Sequence, residues 1–438
     1  LEIPNKNKTP KNRYNVLEAG FYPPPVNNFR GVFTIRYLRR LRRYGFLFDA
    51  GIVITLYSIG AGAAWFLLPQ IIESITHNIA LVGILLAIPG VTAILVDAAV
   101  GELADQLGRK RIISVGLILL TLLALSMHFV ETTTPLILFL IFLGMLYPTV
   151  FYPIIAYIME HAKDRESSTV MGAGMSFAQL GFGLGPVLAG IAYYLMNTKG
   201  QTIFAVIYAL ACICALAATT MLLKKSRRKS GLRESLKKLV FEDKLFLKQA
   251  GDFSRLPNHG LPIILSTLLV STYDGVAWML EPLFYTTVTD NPVWGGIILS
   301  AFIIPLILFE TPAGYLADKY GRKNILYTGF FIAGVMTWLF AYSKSPLEMF
   351  AFAFTASMGI AMTWPAIEGM LARHSPENRK GALVGVWGSS LDLGYVIGPV
   401  LAGIIASKTS IQYTFRLLGI VLILSALSAF ALNTFKKK

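Results

Sequence analysis

The sequence has 438 residues, of which 55% are hydrophobic and only 14% charged, with a mean hydropathy of +0.61. A water-soluble domain carries about a quarter charged residues, so the composition excludes an ordinary soluble protein and requires an apolar solvent around much of the chain. The 39 Lys and Arg exceed the 24 Asp and Glu by 15, yet they fall between long apolar runs rather than along an exposed face, which argues against nucleic acid as a partner.

Leu1 is not an initiator methionine, so residues upstream are expected, and the basic, Pro-containing first 44 residues hold no signal-peptide pattern. Within them Ile35, Leu38 and Leu41 recur at helical spacing beside Arg36, Arg39, Arg40, Arg42 and Arg43, the pattern of a basic helix lying on the inner membrane surface. A spanning helix needs about 20 mainly apolar residues. Twelve such runs are predicted, near 45–69, 78–100, 112–130, 135–158, 170–196, 201–223, 261–287, 292–313, 325–342, 346–370, 382–406 and 411–435. The polar stretch 224–260 divides them six and six and is expected to be a cytoplasmic linker; its Leu232, Leu236 and Leu239 repeat the basic surface-helix pattern. The expected organisation is a basic segment 1–44, six-helix bundles at 45–223 and 261–435, and a tail at 436–438. Cys212 and Cys214 sit too close together in one apolar run to brace a fold or hold zinc, and no metal or cofactor set is evident.

With both termini cytoplasmic, 35 of the 39 Lys and Arg lie on the inner side, leaving Lys199, Lys344, Lys408 and Arg416 outside. Because basic residues resist translocation, that imbalance sets the expected orientation of a multi-pass cell-membrane protein in contact with lipid.

The halves are copies. GELADQLGRKRII begins at Gly101 and GYLADKYGRKNIL at Gly314, and GPVLAGI begins at Gly185 and again at Gly398, both at an offset of 213. The doubled G-x-L-A-D-x-x-G-R-K, after the second and eighth spans, together with the basic loop after the sixth, resembles the major facilitator superfamily of secondary transporters over all twelve spans. The resemblance implies an all-α membrane fold of two six-helix repeats with a central path. It also implies that the motif is a conformational switch. Gly101 and Gly314 permit close helix approach, and Gly108 and Gly321 a tight turn. Asp105 and Asp318 would face the N-terminal ends of the eleventh and fifth helices when the cytoplasmic side is shut. Arg109 and Arg322 would tie these carboxylates to Glu160 and Glu368. Gly181, Gly185, Pro186 and Gly190 in the fifth span are similar to the antiporter motif of proton-driven drug exporters, although Gly394, Gly398, Pro399 and Gly403 echo them in the eleventh.

Asp49, Asp97, Asp274, Glu281, Glu310, Glu368 and Asp392 fall in or at the ends of apolar runs that hold almost no basic residue. Acids at membrane depth without cationic partners point to protons or a cationic ligand rather than an anionic substrate. Asp97, Gly101 and Asp105 lie within about 80° of one helix face, and Glu310, Gly314 and Asp318 repeat that stripe. Asp274 and Glu281, with Trp278 between them, share a face of the seventh span. Asp274 falls roughly mid-membrane, whereas Glu281, nearer the outer mouth, reads equally well as a solvated carboxylate. Asp49 reads as cytoplasmic, and Asp392 has Gln179 as its repeat mate. Tyr57, Tyr152, Trp278 and Trp364 are candidate cavity aromatics. These residues favour a monomeric proton-coupled antiporter that exports an amphipathic or cationic small molecule. The alternative is proton-coupled uptake, or transport of a lipid or sugar conjugate. An enzyme is disfavoured, since no nucleophile and base pair or phosphate loop appears.

Overall fold

The computed structural model describes residues 45–161, 167–224, 261–374 and 380–435. The surface helices expected around Ile35–Leu41 and Leu232–Leu239 lie outside those residues. The described chain forms twelve helical bodies: α1 (Gly45–Thr76), α2 (Ile79–Leu107), α3 (Arg109–Ser126), α4 (Thr133–His161), α5 (Ser167–Met196), α6 (Gly200–Leu222), α7 (Leu261–Phe284), α8 (Pro292–Tyr320), α9 (Arg322–Phe340), α10 (Pro346–His374), α11 (Lys380–Lys408) and α12 (Ile411–Phe435). No strand occurs among the described residues. In lipid each backbone N–H and C=O must find its partner inside the segment, which leaves the helix as the form a run of this composition can take.

Eleven of the twelve are long and apolar enough to cross a membrane, so this is a multi-pass membrane protein. The exception is α9, which has 19 residues but opens on Arg322, Lys323 and Asn324. Large apolar side chains point outward, Leu122, Leu195, Phe129 and Met221 among them, as they must where the solvent is acyl chain rather than water. The spans start and stop within a few residues of the predicted runs, but α1, α2, α8 and α10 continue past them as polar-ended helix, to Thr76, Leu107, Tyr320 and His374.

Both halves use the same local devices. Asn78 caps α2 by accepting from Ala80 N–H at 2.9 Å, and its repeat mate Asn291 caps α8 by accepting from Val293 N–H at 3.0 Å. Gly108 and Gly321 both have φ +95°, a left-handed turn that a side chain would strain, and each ends one helix and starts the next. These two turns mark one face of the bundle, called here the GRK face. The connections at 77–78 and 288–291 lie on the opposite face.

Two antiparallel seams join the halves, α2 with α11 and α5 with α8. In the first, Gly403 abuts Ile79 and Ala80, Gly83 abuts Pro399, and Gly90 abuts Val396. In the second, Gly190 abuts Pro292 and Val293, Gly296 abuts Pro186, and Gly183 abuts Ile303. Each contact in one seam is the other's shifted by the 213-residue repeat. Small residues let the backbones close where lipid supplies no hydrophobic drive for association. Toward the GRK face the packing ends: a Cβ built on Gly101, Gly172 or Gly388 meets nothing within 4 Å. Among the described residues the halves are therefore zipped at the opposite face, and this close packing does not continue to Gly101, Gly172 and Gly388 toward the GRK face.

Candidate functional site

The residues of the GRK turns form two matching clusters. Arg109 bonds Asp105 (3.1 Å), the Ala156 carbonyl and Glu160 (3.1 Å). Arg322 bonds Asp318 (3.2 Å) and the Gly369 carbonyl, which is the repeat mate of Ala156. The Arg109–Glu160 link is the one expected from sequence. The corresponding role for Glu368 is not seen: its carboxylate stands beside Glu310 instead. The reason is a break in the repeat, since Glu160 has Arg373 as its mate. Asp105 and Asp318 remain exposed and bonded to their own arginines, as expected when the GRK face is open.

The antiporter-like glycines have a packing role. Gly181 and Gly185 let α5 rest on the α1 backbone at Thr55 and Ile59, while Gly394 and Gly398 do the same for α11 on α7 at Ser271 and Thr272. Gly190 and Gly403, with Pro186 and Pro399, build the seams. The same arrangement in both halves accounts for the motif by close packing.

The membrane-depth acids separate into three sets. Asp97 of α2 stands near Asp392 of α11, across the first seam, with the Tyr152 hydroxyl of α4 facing it. Asp97 Oδ1 is buried with no hydrogen-bond partner. At the equivalent point of the second seam Glu310 of α8 is reached by the Gln179 amide of α5.

The third set lies along one face of α7: Asp274, Trp278, Glu281 and Tyr285. Asp274 is 6% exposed, and Tyr395 of α11 donates to its Oδ2 at 3.5 Å. The Tyr395 ring stacks on Trp278 at 5.6 Å, and Trp278 meets Trp65 of α1 at 5.5 Å. Glu281 is 0% exposed, so its reading as a solvated carboxylate at the mouth is corrected: the Tyr285 ring and the packed end of α7 enclose it. Tyr395 was not singled out from the sequence, although it lies three residues from Asp392, on the next helical turn.

The remaining candidates lie elsewhere. Asp49 is half-buried near Tyr157 at the GRK end of α1 and α4. Tyr57 is wholly buried, 6.1 Å from Tyr147, and packs inside the first half rather than lining a path between the halves. Trp364 is half-buried against the core. Among the described residues, no Lys or Arg stands against Asp274 or Glu281.

The arrangement is a duplicated bundle with two seams and an acid-bearing face between them. The profile of the Major Facilitator Superfamily matches residues 50–289 and 263–438. The chain belongs to the Major Facilitator Superfamily. Among superfamily relatives it is 32% identical over 147 residues to a Na(+), Li(+), K(+)/H(+) antiporter of Planococcus maritimus, covering 32% of this chain and 33% of that one. It is 26% identical over 143 residues to the quinolone resistance protein NorA of Staphylococcus aureus, covering 33% and 37%. The matches thus span about a third of the length of these curated relatives. A crystal structure of the nucleoside transporter NupG has the same fold, with a TM-score of 0.69 at 16% identity over 88% of this chain and 99% of that one.

Proposed function

We propose that this chain is a proton-coupled antiporter that exports an amphipathic or cationic small molecule by alternating access. The observation that carries the reading is the α7 face: Asp274, nearly enclosed and held by Tyr395, beside the ring of Trp278, which stacks on Tyr395 and meets Trp65 at a tilt where the two halves meet. A flat or cationic ligand gains from aromatic faces, and a lone carboxylate at this depth accepts either a proton or that cation, not both. Competition for Asp274 is then the coupling step, and each ligand must favour a different conformation. The seams supply the motion: with the opposite face zipped and the GRK face open, closing one requires opening the other. Relatives named for cation/proton antiport and for drug resistance are consistent with this reading.

In this proposal the bundles are 45–223 and 261–435, joined by a cytoplasmic linker, and the GRK turns face the cytoplasm, as their lysines and arginines require. The carrier works as a monomer in the cell membrane, since the path lies within one chain. The test is reconstitution into vesicles with an imposed proton gradient and a panel of organic cations. A gradient that drives no compound, with no proton movement when any compound crosses, sinks the proposal. Accumulation with protons moving in the same direction as the compound identifies a symporter instead.

A further inference from the structure

Glu281 lies within one turn of the end of α7 at the opposite face, yet both its carboxyl oxygens are buried and without a hydrogen-bond partner. Its surroundings are defined on both sides. Toward Asp274, two helical turns away, stands Trp278, which packs between Tyr395 and Trp65. Toward the opposite face Tyr285, four residues on, closes over it. The Tyr285 ring packs 5.8 Å from Phe66 of α1 and against Gly295 of α8, and its hydroxyl donates to Gln70 Oε1 of α1 at 3.2 Å. Tyr285 and Gln70 belong to different halves, so this closure holds only while the opposite face is shut.

An ionised carboxylate enclosed in this way loses its hydration and gains nothing in return, which disfavours the charged form. Among the described residues the groups facing it offer no positive charge: Tyr285 in the turn that follows α7, Gln70 on α1, and, beyond Tyr285, Tyr193 of α5 and Asp290. For a carboxylate with no exposed surface, a proton is the species that neutralises it without added volume. We propose that Glu281 is a proton-binding site separate from Asp274, occluded here behind the Tyr285–Gln70 closure, which exchanges its proton only with the face opposite the GRK turns. The aromatic partition keeps Asp274 and Glu281 from equilibrating directly, so each acid serves one face. This deepens the antiport reading and rests on it only for the consequence in transport.

The test is infrared spectroscopy of the full chain in vesicles of neutral lipid, which reads the C=O stretch of protonated carboxyls. Near neutral pH, Glu281→Gln should remove one carboxyl's intensity from that band, and Asp274→Asn should leave this component in place. Hydrogen–deuterium exchange of the component should be slow in the wild type and at least about tenfold faster in Tyr285→Ala, which removes the closure. Glutamate labelled with carbon-13 shifts the same component in the unsubstituted chain, so the assignment survives a variant that fails to fold. Protonated-carboxyl intensity that is unchanged in Glu281→Gln and insensitive to glutamate labelling overturns the proposal, as does exchange equally fast with and without Tyr285. Transport uncoupled from protons with the component intact defeats the antiport reading alone; coupled transport without the component defeats this one alone.

Discussion

Asp97 of α2 and Asp392 of α11 face each other across a seam between the halves, at the point whose repeat mates are Glu310 and Gln179. One seam thus opposes two carboxyls, and the other opposes a carboxyl to an amide. An amide donates to a carboxylate at any pH, whereas two carboxyls join only through a shared proton and repel when both are charged. The other groups about the acid pair, Tyr147 and Tyr152 of α4 and Tyr395 of α11, are phenols.

We predict that opening of the GRK face rises with pH through the Asp97–Asp392 pair. For a step linked to one proton, the ratio of open to closed molecules changes by about tenfold per pH unit. Asp392→Asn should flatten that dependence and Gln179→Glu should steepen it. Spin-label distances between α2 and α11 near the GRK turns, measured from acid to alkaline pH, provide the check; an unaltered slope in Asp392→Asn refutes it.

Glycines near the two ends of α2 should respond differently to a methyl group. The Cβ of Gly83→Ala collides with the Pro399 carbonyl, and overpacking of this kind typically costs about 1–3 kcal/mol. Gly101→Ala meets open space in this conformation. Melting of the purified protein should fall by several degrees for the first and stay near wild type for the second, while the second slows transport by hindering closure of the GRK face. Equal melting temperatures would contradict the packing account.

Arg109 ties α3 to the end of α4 through the Ala156 carbonyl and Glu160. Glu160→Gln removes a half-exposed ion pair worth about 0–1 kcal/mol, and little change in stability is expected. Arg109→Ala also strands the Ala156 carbonyl and Asp105, so transport should fall by about tenfold or more with ligand binding preserved. Binding and flux measured on the same preparation separate the two effects.

Trp278→Ala removes the centre of the Trp65–Trp278–Tyr395 stack. Binding of a planar organic cation should weaken by about tenfold, corresponding to one aromatic contact of about 1–2 kcal/mol. Trp364→Ala, outside the stack, should leave affinity unchanged. Calorimetry with any ligand identified by the vesicle panel compares the two.

Much of this was open to reading in the linear chain because lipid simplifies the problem. A span must be apolar and helical, basic residues mark its inner ends, and a duplication at a fixed offset shows itself as repeated letters; the helices and the Gly108 and Gly321 turns follow from those signals, whereas the Arg109–Glu160 link was implied only by the family resemblance. Partners between helices carry no such signal. The position of Glu368 against Glu310, the inward packing of Tyr57, the Tyr395 bond to Asp274 and the enclosure of Glu281 depend on how helices rotate and cross, and periodicity within one helix does not contain that information. The pairing of Asp97 with Asp392 and of Glu310 with Gln179 is the clearest case. Their equivalence under the repeat was visible as an offset in number, but only antiparallel packing of α2 on α11 and of α5 on α8 brings each acid to its opposite.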